Sequence, residues 1–130
     1  MKLVAEHFDG FTEFLLGWTA TIIEQTADVD AKWLGRGGRC KTNFKISLPE
    51  LDIADVAFQM AELKPRYDGR VDDFPHHILT FTDNSDEIRV SLHAGIEWPA
   101  ALQDEVDTFY RLWKPIAEAV ESHPSMPRRT

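Results

Sequence analysis

Two segments lie on either side of the tetrapeptide Asp83–Asp86, and in each of them apolar and polar residues alternate. These segments constrain the fold more than any other feature of this chain. The tetrapeptide, Asp-Asn-Ser-Asp, favours a tight turn because its short polar side chains hydrogen-bond the nearby backbone. If the turn is centred on it, the numbers of opposite residues sum to 169, and Phe81 then faces Ile88. Apolar residues face each other along one side of both segments in this register. The sequence therefore predicts a β-hairpin with strands at about 77–82 and 87–94.

The spacing of apolar residues predicts four further elements. Steps of three and four residues predict a first helix over about 8–26, a second over about 49–65, and a third that begins near Pro99. Strict alternation predicts a half-buried strand over 41–48. Between the first helix and this strand, the glycines of residues 33–40 predict a loop.

These elements follow the order α-β-α-β-β-α, and strands that are apolar on one side need helices to cover that side. We therefore expect a two-layer α+β domain over residues 1–121, in which a mostly antiparallel sheet of three or more strands packs against about three helices. Pro115 should kink or split the last helix because it removes one backbone hydrogen bond. Residues 122–130 hold two prolines and no apolar period, which predicts a flexible tail.

Length and composition favour one soluble domain. The chain has 130 residues, which is enough for one core. No run approaches the roughly 20 apolar residues of a membrane span. Glu6 and His7 stand where a signal peptide needs an apolar run, so we expect a cytoplasmic protein that does not bind membranes. Cys40 is the single cysteine, which excludes an internal disulfide and leaves stability to packing.

The net charge of −8 argues against nucleic acid as a direct ligand and for a basic protein partner. It arises from 22 acidic and 14 basic residues, whereas nucleic-acid phosphates attract Lys and Arg. The charge is uneven, because residues 32–45 hold five bases and no acid while residues 68–107 hold ten acids and two bases. Opposite potentials steer association, so an acidic segment suits a basic protein. Solubility alone is the alternative explanation.

We expect the partner to bind an acidic surface around Trp98. This tryptophan precedes the proline that starts the last helix, and an exposed tryptophan beside acids is typical of a binding hot spot. The other predicted contacts are acids of the hairpin and of the last helix: Asp83, Asp86, Glu87, Glu97, Asp104, Glu105 and Asp107. A solvated acidic helix surface is the alternative interpretation.

The segment Gly35–Thr42, GRGGRCKT, partly matches the phosphate-binding pattern G-x-x-x-x-G-K-[ST]. The match fails because Cys40 stands where the pattern requires glycine, and because a strand follows where a helix must begin. We therefore exclude nucleotide hydrolysis. Weak anion binding at Arg36, Arg39 and Lys41 or a solvated loop are the remaining interpretations. No histidine can be placed beside Cys40 from the sequence, so we expect no reactive thiol.

The stretch VDDFPHH at residues 71–77 suggests an alternative function. With opposite residues summing to 169, His76 faces His93 on the side of the hairpin away from the core. Two imidazoles with a carboxylate from Asp72 or Asp73 can hold zinc or iron. Such a site would lie on an exposed surface without an evident supporting shell, so we expect no metal there. The alternative hypothesis is a small metal-binding protein or enzyme that uses these four residues.

The common catalytic motifs are missing: the chain has no nucleophile elbow, HExxH, GxGxxG or paired-cysteine metal spacing. We therefore expect a non-enzymatic acidic binding or inhibitory module that needs no cofactor. By analogy of charge and size, this is an immunity protein or antitoxin that neutralises a basic toxin such as a nuclease. Self-association, for instance as a homodimer, stays open at this stage.

Overall fold

The structure is a computed structural model and describes residues 1–10, 15–69 and 75–127. Within these ranges the chain forms seven strands and two helices. The strands are β1 (Lys2–Phe8), β2 (Leu15–Ile23), β3 (Thr26–Gly35), β4 (Gly38–Ser47), β5 (Arg66–Tyr67), β6 (His76–Asp83) and β7 (Asp86–His93). The helices are α1 (Ile53–Met60) and α2 (Ala100–Glu121).

All seven strands belong to one sheet with the spatial order β4-β3-β2-β1-β6-β7-β5. Each neighbouring pair is antiparallel except β5 and β7, which are parallel. The first four strands are consecutive hairpins. β1 then pairs on its other side with β6, which joins this meander to the hairpin of β6 and β7. The molecule is therefore mostly sheet.

The predicted order α-β-α-β-β-α with about three helices is wrong. Residues 15–23 form β2 instead of a helix, because buried Trp18, Ala20 and Ile22 alternate with less buried residues, as on a strand. The steps of three and four that suggested a helix over 8–26 join residues of two different strands and of the connection between them. Phe11 and Phe14, which contributed to that pattern, lie outside the described residues.

The predicted loop over residues 33–40 is also wrong. β3 and β4 form a hairpin that pairs Gly35 with Gly38, and the turn consists of residues 36 and 37. Gly38 has a φ of +113°, a conformation that glycine adopts without the steric cost a Cβ atom would add. The glycines therefore mark a tight hairpin turn rather than an extended loop.

The hairpin predicted around residues 83–86 is confirmed in its register. His76 pairs with His93 and Phe81 pairs with Ile88, so that opposite residue numbers sum to 169.

The last helix starts after Pro99 as expected, but it continues through Pro115, so the predicted split is wrong. One lost hydrogen bond does not end a helix of 22 residues whose buried residues pack on both sides of the proline.

Both helices pack against the same side of the sheet and enclose one core. Its centre includes Trp18 of β2 and Phe109 and Trp113 of α2, each at most 3% exposed. Trp18 stacks on Trp113 with ring centroids 5.3 Å apart. The opposite side of the sheet, here called the open face, carries the alternate residues of each strand. None of the described helices has the length and apolar character needed to cross a membrane.

The chain after α2 returns to the far edge of the sheet. His123 stacks on Phe44 of β4 with ring centroids 4.4 Å apart, and Met126 is buried. The flexible tail expected over 122–130 therefore contains a packed first part, 122–127. Residues 128–130 lie outside the described residues.

Gly17 provides a test of the spacing between the two central strands. A Cβ atom at this position would lie 2.4 Å from the carbonyl oxygen of His7, closer than real Cβ atoms approach a backbone oxygen. Gly17→Ala must separate β1 from β2, and we expect it to lower the free energy of unfolding by about 2–3 kcal/mol. Gly37→Ala is the matched control, because nothing lies within 4 Å of its Cβ position. The free energy of unfolding of both variants is measured by urea unfolding. Equal values for the two variants would contradict the close spacing of β1 and β2 at Gly17.

Candidate functional site

Most of the net negative charge lies on the helical layer, defined here as residues 49–64 and 96–123. This layer holds ten acids and three bases, a net charge of −7 compared with −8 for the whole chain. The acids are Glu50, Asp52, Asp55, Glu62, Glu97, Asp104, Glu105, Asp107, Glu118 and Glu121, and the bases are Lys64, Arg111 and Lys114. The described part of the molecule thus has one strongly acidic side.

Four of the predicted partner-binding acids, Glu97, Asp104, Glu105 and Asp107, lie together at the start of α2 and in the loop before it. Glu105 also has a structural contact, because its carboxylate accepts a hydrogen bond of 2.7 Å from the hydroxyl of Tyr67 on β5. Burial, and then this bond to a carboxylate, raises the pKa of Tyr67 to about 12. The phenol therefore stays a donor and ties the start of α2 to the sheet edge.

The other three predicted acids lie elsewhere. Asp83 and Asp86 flank the hairpin turn, and about 23 Å of strand separates Asp86 from His93, where the chain turns towards α2. Asp83 lies 3.8 Å from the amino group of Met1. Glu87 points to the open face, since its neighbour Ile88 belongs to the helix-covered side. The structure therefore does not bring the seven acids into one surface.

Trp98 is partly buried and does not project from the surface. It packs against the core and meets the ring of Tyr67 edge-on, with centroids 6.3 Å apart. The exposed aromatic residue of the helical layer is Phe58 of α1, which is 72% exposed. The sequence contains a signal for it, because Phe58 is an apolar residue outside the buried stripe of its helix.

A groove of about 580 Å³ lies between α1 and α2. Its apolar lining consists of Leu48, Pro49, Leu51, Val56, Leu112, Pro115 and Ala119. Three acids, Glu50, Asp52 and Asp55, line the side that α1 and its preceding turn provide, and Arg111 lines the side of α2. The sequence did not reveal this groove, because its two walls are formed by residues 47–59 and 111–119, which meet only in the folded chain.

Local hydrogen bonds hold two acids of the groove, Asp52 and Asp55, in place. The carboxylate of Asp52 caps α1 by accepting a bond of 3.2 Å from the backbone N–H of Asp55. Asp55 in turn accepts a bond of 2.9 Å from the side chain of Gln59. On the opposite wall, Pro115 has no N–H to offer the carbonyl of Arg111, its partner four residues earlier. The groove therefore combines an apolar floor with oriented acceptors.

The predicted anion-binding residues lie on the hairpin of β3 and β4 at the far edge of the sheet. Arg36 is in the turn, while Arg39 and Lys41 alternate along β4 and point to the open face. Lys32 of β3 lies opposite Lys41 and joins them there. Cys40 is partly buried, and its thiol lies 3.6 Å from the carbonyl oxygen of Gly38.

His76 and His93 lie opposite each other, as the hairpin register predicts, and their Nε2 atoms are in direct contact. His93 is buried, although we expected an exposed pair. Its Nδ1 accepts a bond of 2.6 Å from the backbone N–H of Gly69, so the proton of the neutral ring is on Nε2. Metal-bound histidines show the reverse arrangement, in which the second nitrogen donates.

The hydrogen-bonding pattern of His93 therefore favours a donor–acceptor pair over a metal site. Asp72 and Asp73, the proposed carboxylate ligands, lie outside the described residues. Among the described residues, no group of three or more His, Cys, Asp or Glu side chains is arranged to hold a metal ion. The metal-binding alternative has no support from the residues that are described.

A second histidine pair lies on the helix-covered side of the sheet, across β1 and β6. His7 of β1 bonds Asp9 through Nε2 at 2.5 Å, and its Nδ1 lies 3.2 Å from Nδ1 of His77. The ring of His77 stacks on Trp113 with centroids 4.4 Å apart. Burial, and then the nearby imidazole of His7, lowers the pKa of His77 to about 4. The neutral ring of His77 is therefore part of the contact between α2 and the sheet.

This pair makes stability depend on pH. The unfolded chain binds a proton at this ring below about pH 6.5, whereas the folded chain resists protonation down to about pH 4. The free energy of unfolding should therefore fall by roughly 1–2 kcal/mol between pH 6.5 and pH 5, with allowance for solvent screening. His77→Phe keeps a ring on Trp113 and should flatten this dependence in urea unfolding. Equal pH dependence of the variant and the wild type would exclude His77 as the cause.

Comparisons with known proteins leave the geometry as the basis for assigning a function. No protein-family model matches the sequence. No curated protein matches it significantly. The fold gives no further guide, because no solved structure matches it significantly either.

Proposed function

We propose that this protein is a non-enzymatic binding module that holds a basic amphipathic segment of a partner protein in the groove between α1 and α2. The observation that carries the proposal is the combination of an apolar floor, three acids at the edge and a surrounding layer of net charge −7. Charge complementarity defines the partner as basic. A cytoplasmic location and the absence of a cofactor belong to the same proposal.

The groove suits a segment that presents apolar and basic residues on different sides. Apolar side chains would bury Leu51, Val56 and Leu112, which line the groove. Lys or Arg side chains at the edge would meet Glu50 and Asp55. A helix laid into a groove of this kind is a common way for one protein to recognise another.

An inhibitory role follows from the chemistry of such a partner. A basic toxin such as a nuclease holds its substrate through Lys and Arg side chains that contact phosphates. An acidic surface that pairs with those side chains blocks the substrate site without any reaction. The proposal is thus an immunity- or antitoxin-like protein, whose acids on the helical layer replace the acids of the hairpin in our first hypothesis.

Charge reversal in the groove tests the proposal. The probe is a synthetic amphipathic helical peptide with Leu on one side and Lys on the other, followed by fluorescence anisotropy. We expect Glu50→Lys with Asp55→Lys to weaken binding by about tenfold at low salt, since two ion pairs are lost and two repulsions are added. Binding to the wild-type protein should also weaken as salt increases, because exposed charges are screened.

The matched control places the same change in charge on the hairpin, as Asp86→Lys with Glu87→Lys. We expect this variant to lose less than twofold in affinity. Equal losses in both variants would show that net charge alone attracts the peptide, and the groove would then be the wrong site. A peptide with Glu in place of Lys should not bind. A basic protein that co-purifies with the wild-type protein from native cells should not co-purify with the groove variant.

Leu51 provides a test of the apolar contribution, and Phe58 is its control. Leu51 lines the groove and is partly buried, whereas Phe58 is 72% exposed and is not part of the groove lining. We expect Leu51→Ala to weaken peptide binding by about fivefold and Phe58→Ala to change it less than twofold. Unchanged affinity of the Leu51 variant would place the partner away from the groove.

A further inference from the structure

A depression of about 510 Å³ lies on the open face, on the side of the sheet opposite the helical layer. Cross-strand register places four residues in one row here. Phe8 lies opposite Gly17, Gly17 opposite Lys32, and Lys32 opposite Lys41. Adjacent strands are about 4.8 Å apart, so roughly 10 Å separates Phe8 from Lys32 across the glycine.

Gly17 forms the bottom of this depression, and the backbone of the neighbouring strand leaves no room for a side chain there. The carbonyl of His7 approaches so closely that no Cβ atom fits. The register between β2 and β3 shifts between Leu15 and Gly17, a bulge of the kind that often lies next to binding sites. The gap in the row is thus a fixed feature of the sheet.

The lining supplies three kinds of contact, two of them at the ends of the row and one beside it. Phe8, which is 43% exposed, provides a flat apolar ring at one end. Thr19 and Asp30 provide hydroxyl and carboxylate groups beside the gap. Lys32 and Lys41, both exposed, provide two positive charges at the other end. Asn43 donates a hydrogen bond of 2.9 Å to Asp30 and orients its carboxylate.

The overall charge of −8 does not oppose an anion at this place. The helical layer, which carries a net charge of −7, lies on the other side of the sheet. In the described strands, the charged residues that point to the open face are the bases Lys2, Lys32, Arg39, Lys41, Lys45, Arg66 and Arg89 and the acids Glu6, Asp28, Asp30 and Glu87. The open face is therefore slightly positive, and its bases are concentrated on β4.

We propose that this depression binds a free nucleoside monophosphate without hydrolysing it. The base would lie against Phe8 and the sugar hydroxyls would bond Thr19 and Asp30, while the phosphate would pair with Lys32 and Lys41. Pockets of this volume are typical for ligands of that size. The inference does not depend on the groove between α1 and α2, because the two sites share no residue.

NMR titration of the folded protein with adenosine 5′-monophosphate tests the inference. We expect shifts concentrated on the backbone amides of residues 8, 17, 19, 32 and 41 and a dissociation constant on the order of 100 μM, as for a shallow site. Lys32→Gln with Lys41→Gln should weaken binding about tenfold. Lys45→Gln, which removes a charge from the same face of the same strand, should change it less than twofold.

Three further ligands show whether both the ring and the phosphate of the nucleotide contribute to binding, and whether a nucleic acid binds instead. Adenosine lacks the phosphate and ribose 5-phosphate lacks the ring, so each should bind at least fivefold more weakly than the whole nucleotide. Equal binding of ribose 5-phosphate would overturn the inference, since the patch would then hold any anion. Tighter binding of a short single-stranded oligoadenylate would overturn it in favour of a nucleic-acid surface, and shifts scattered over the whole protein would exclude a site.

Discussion

The pairing of β1 with both β2 and β6 is the constraint on which the rest of the structure depends. It joins the meander of the first four strands to the later hairpin, so that all seven strands form one sheet. The approach of the two backbones at Gly17 is too close for a side chain. This single row of contacts shapes both sides of the sheet, because it places His7 beside His77 under α2 and leaves a depression next to Phe8 on the open face.

The sheet separates charges that are mixed along the sequence. Helices that pack an apolar stripe on a sheet turn their polar side outward, and here the helical layer, with the turns next to its helices, holds ten of the 22 acids. The bases of residues 32–45 lie instead on the hairpin of β3 and β4, and four of the five point to the open face. One molecule can therefore offer an acidic surface to a basic protein and a weakly basic surface to a small anion. Both proposals rest on this separation more than on any single residue.

The histidines show that the register of a strand pair does not by itself fix the chemistry of the side chains on it. The sequence placed His76 opposite His93, and the structure agrees. Whether such a pair holds a metal depends on which nitrogen carries the proton, and the backbone N–H of Gly69 decides that. Gly69 is 24 residues away from His93, so no local pattern could have shown the contact.

The sequence by itself determined the hairpin of β6 and β7, the presence of a helix within residues 49–65 and the start of α2; α1 is shorter than predicted and spans Ile53–Met60. Each follows from short-range chemistry: a polar turn between alternating segments, apolar residues in steps of three and four, and a proline at position 99. Only the tertiary structure decided that residues 15–23 form a strand, that Phe58 is exposed, and that the acids of the hairpin lie apart from those of α2. The reason is physical, because a strand gains its hydrogen bonds from neighbouring strands and its burial from the elements packed on it, and no local pattern specifies those partners.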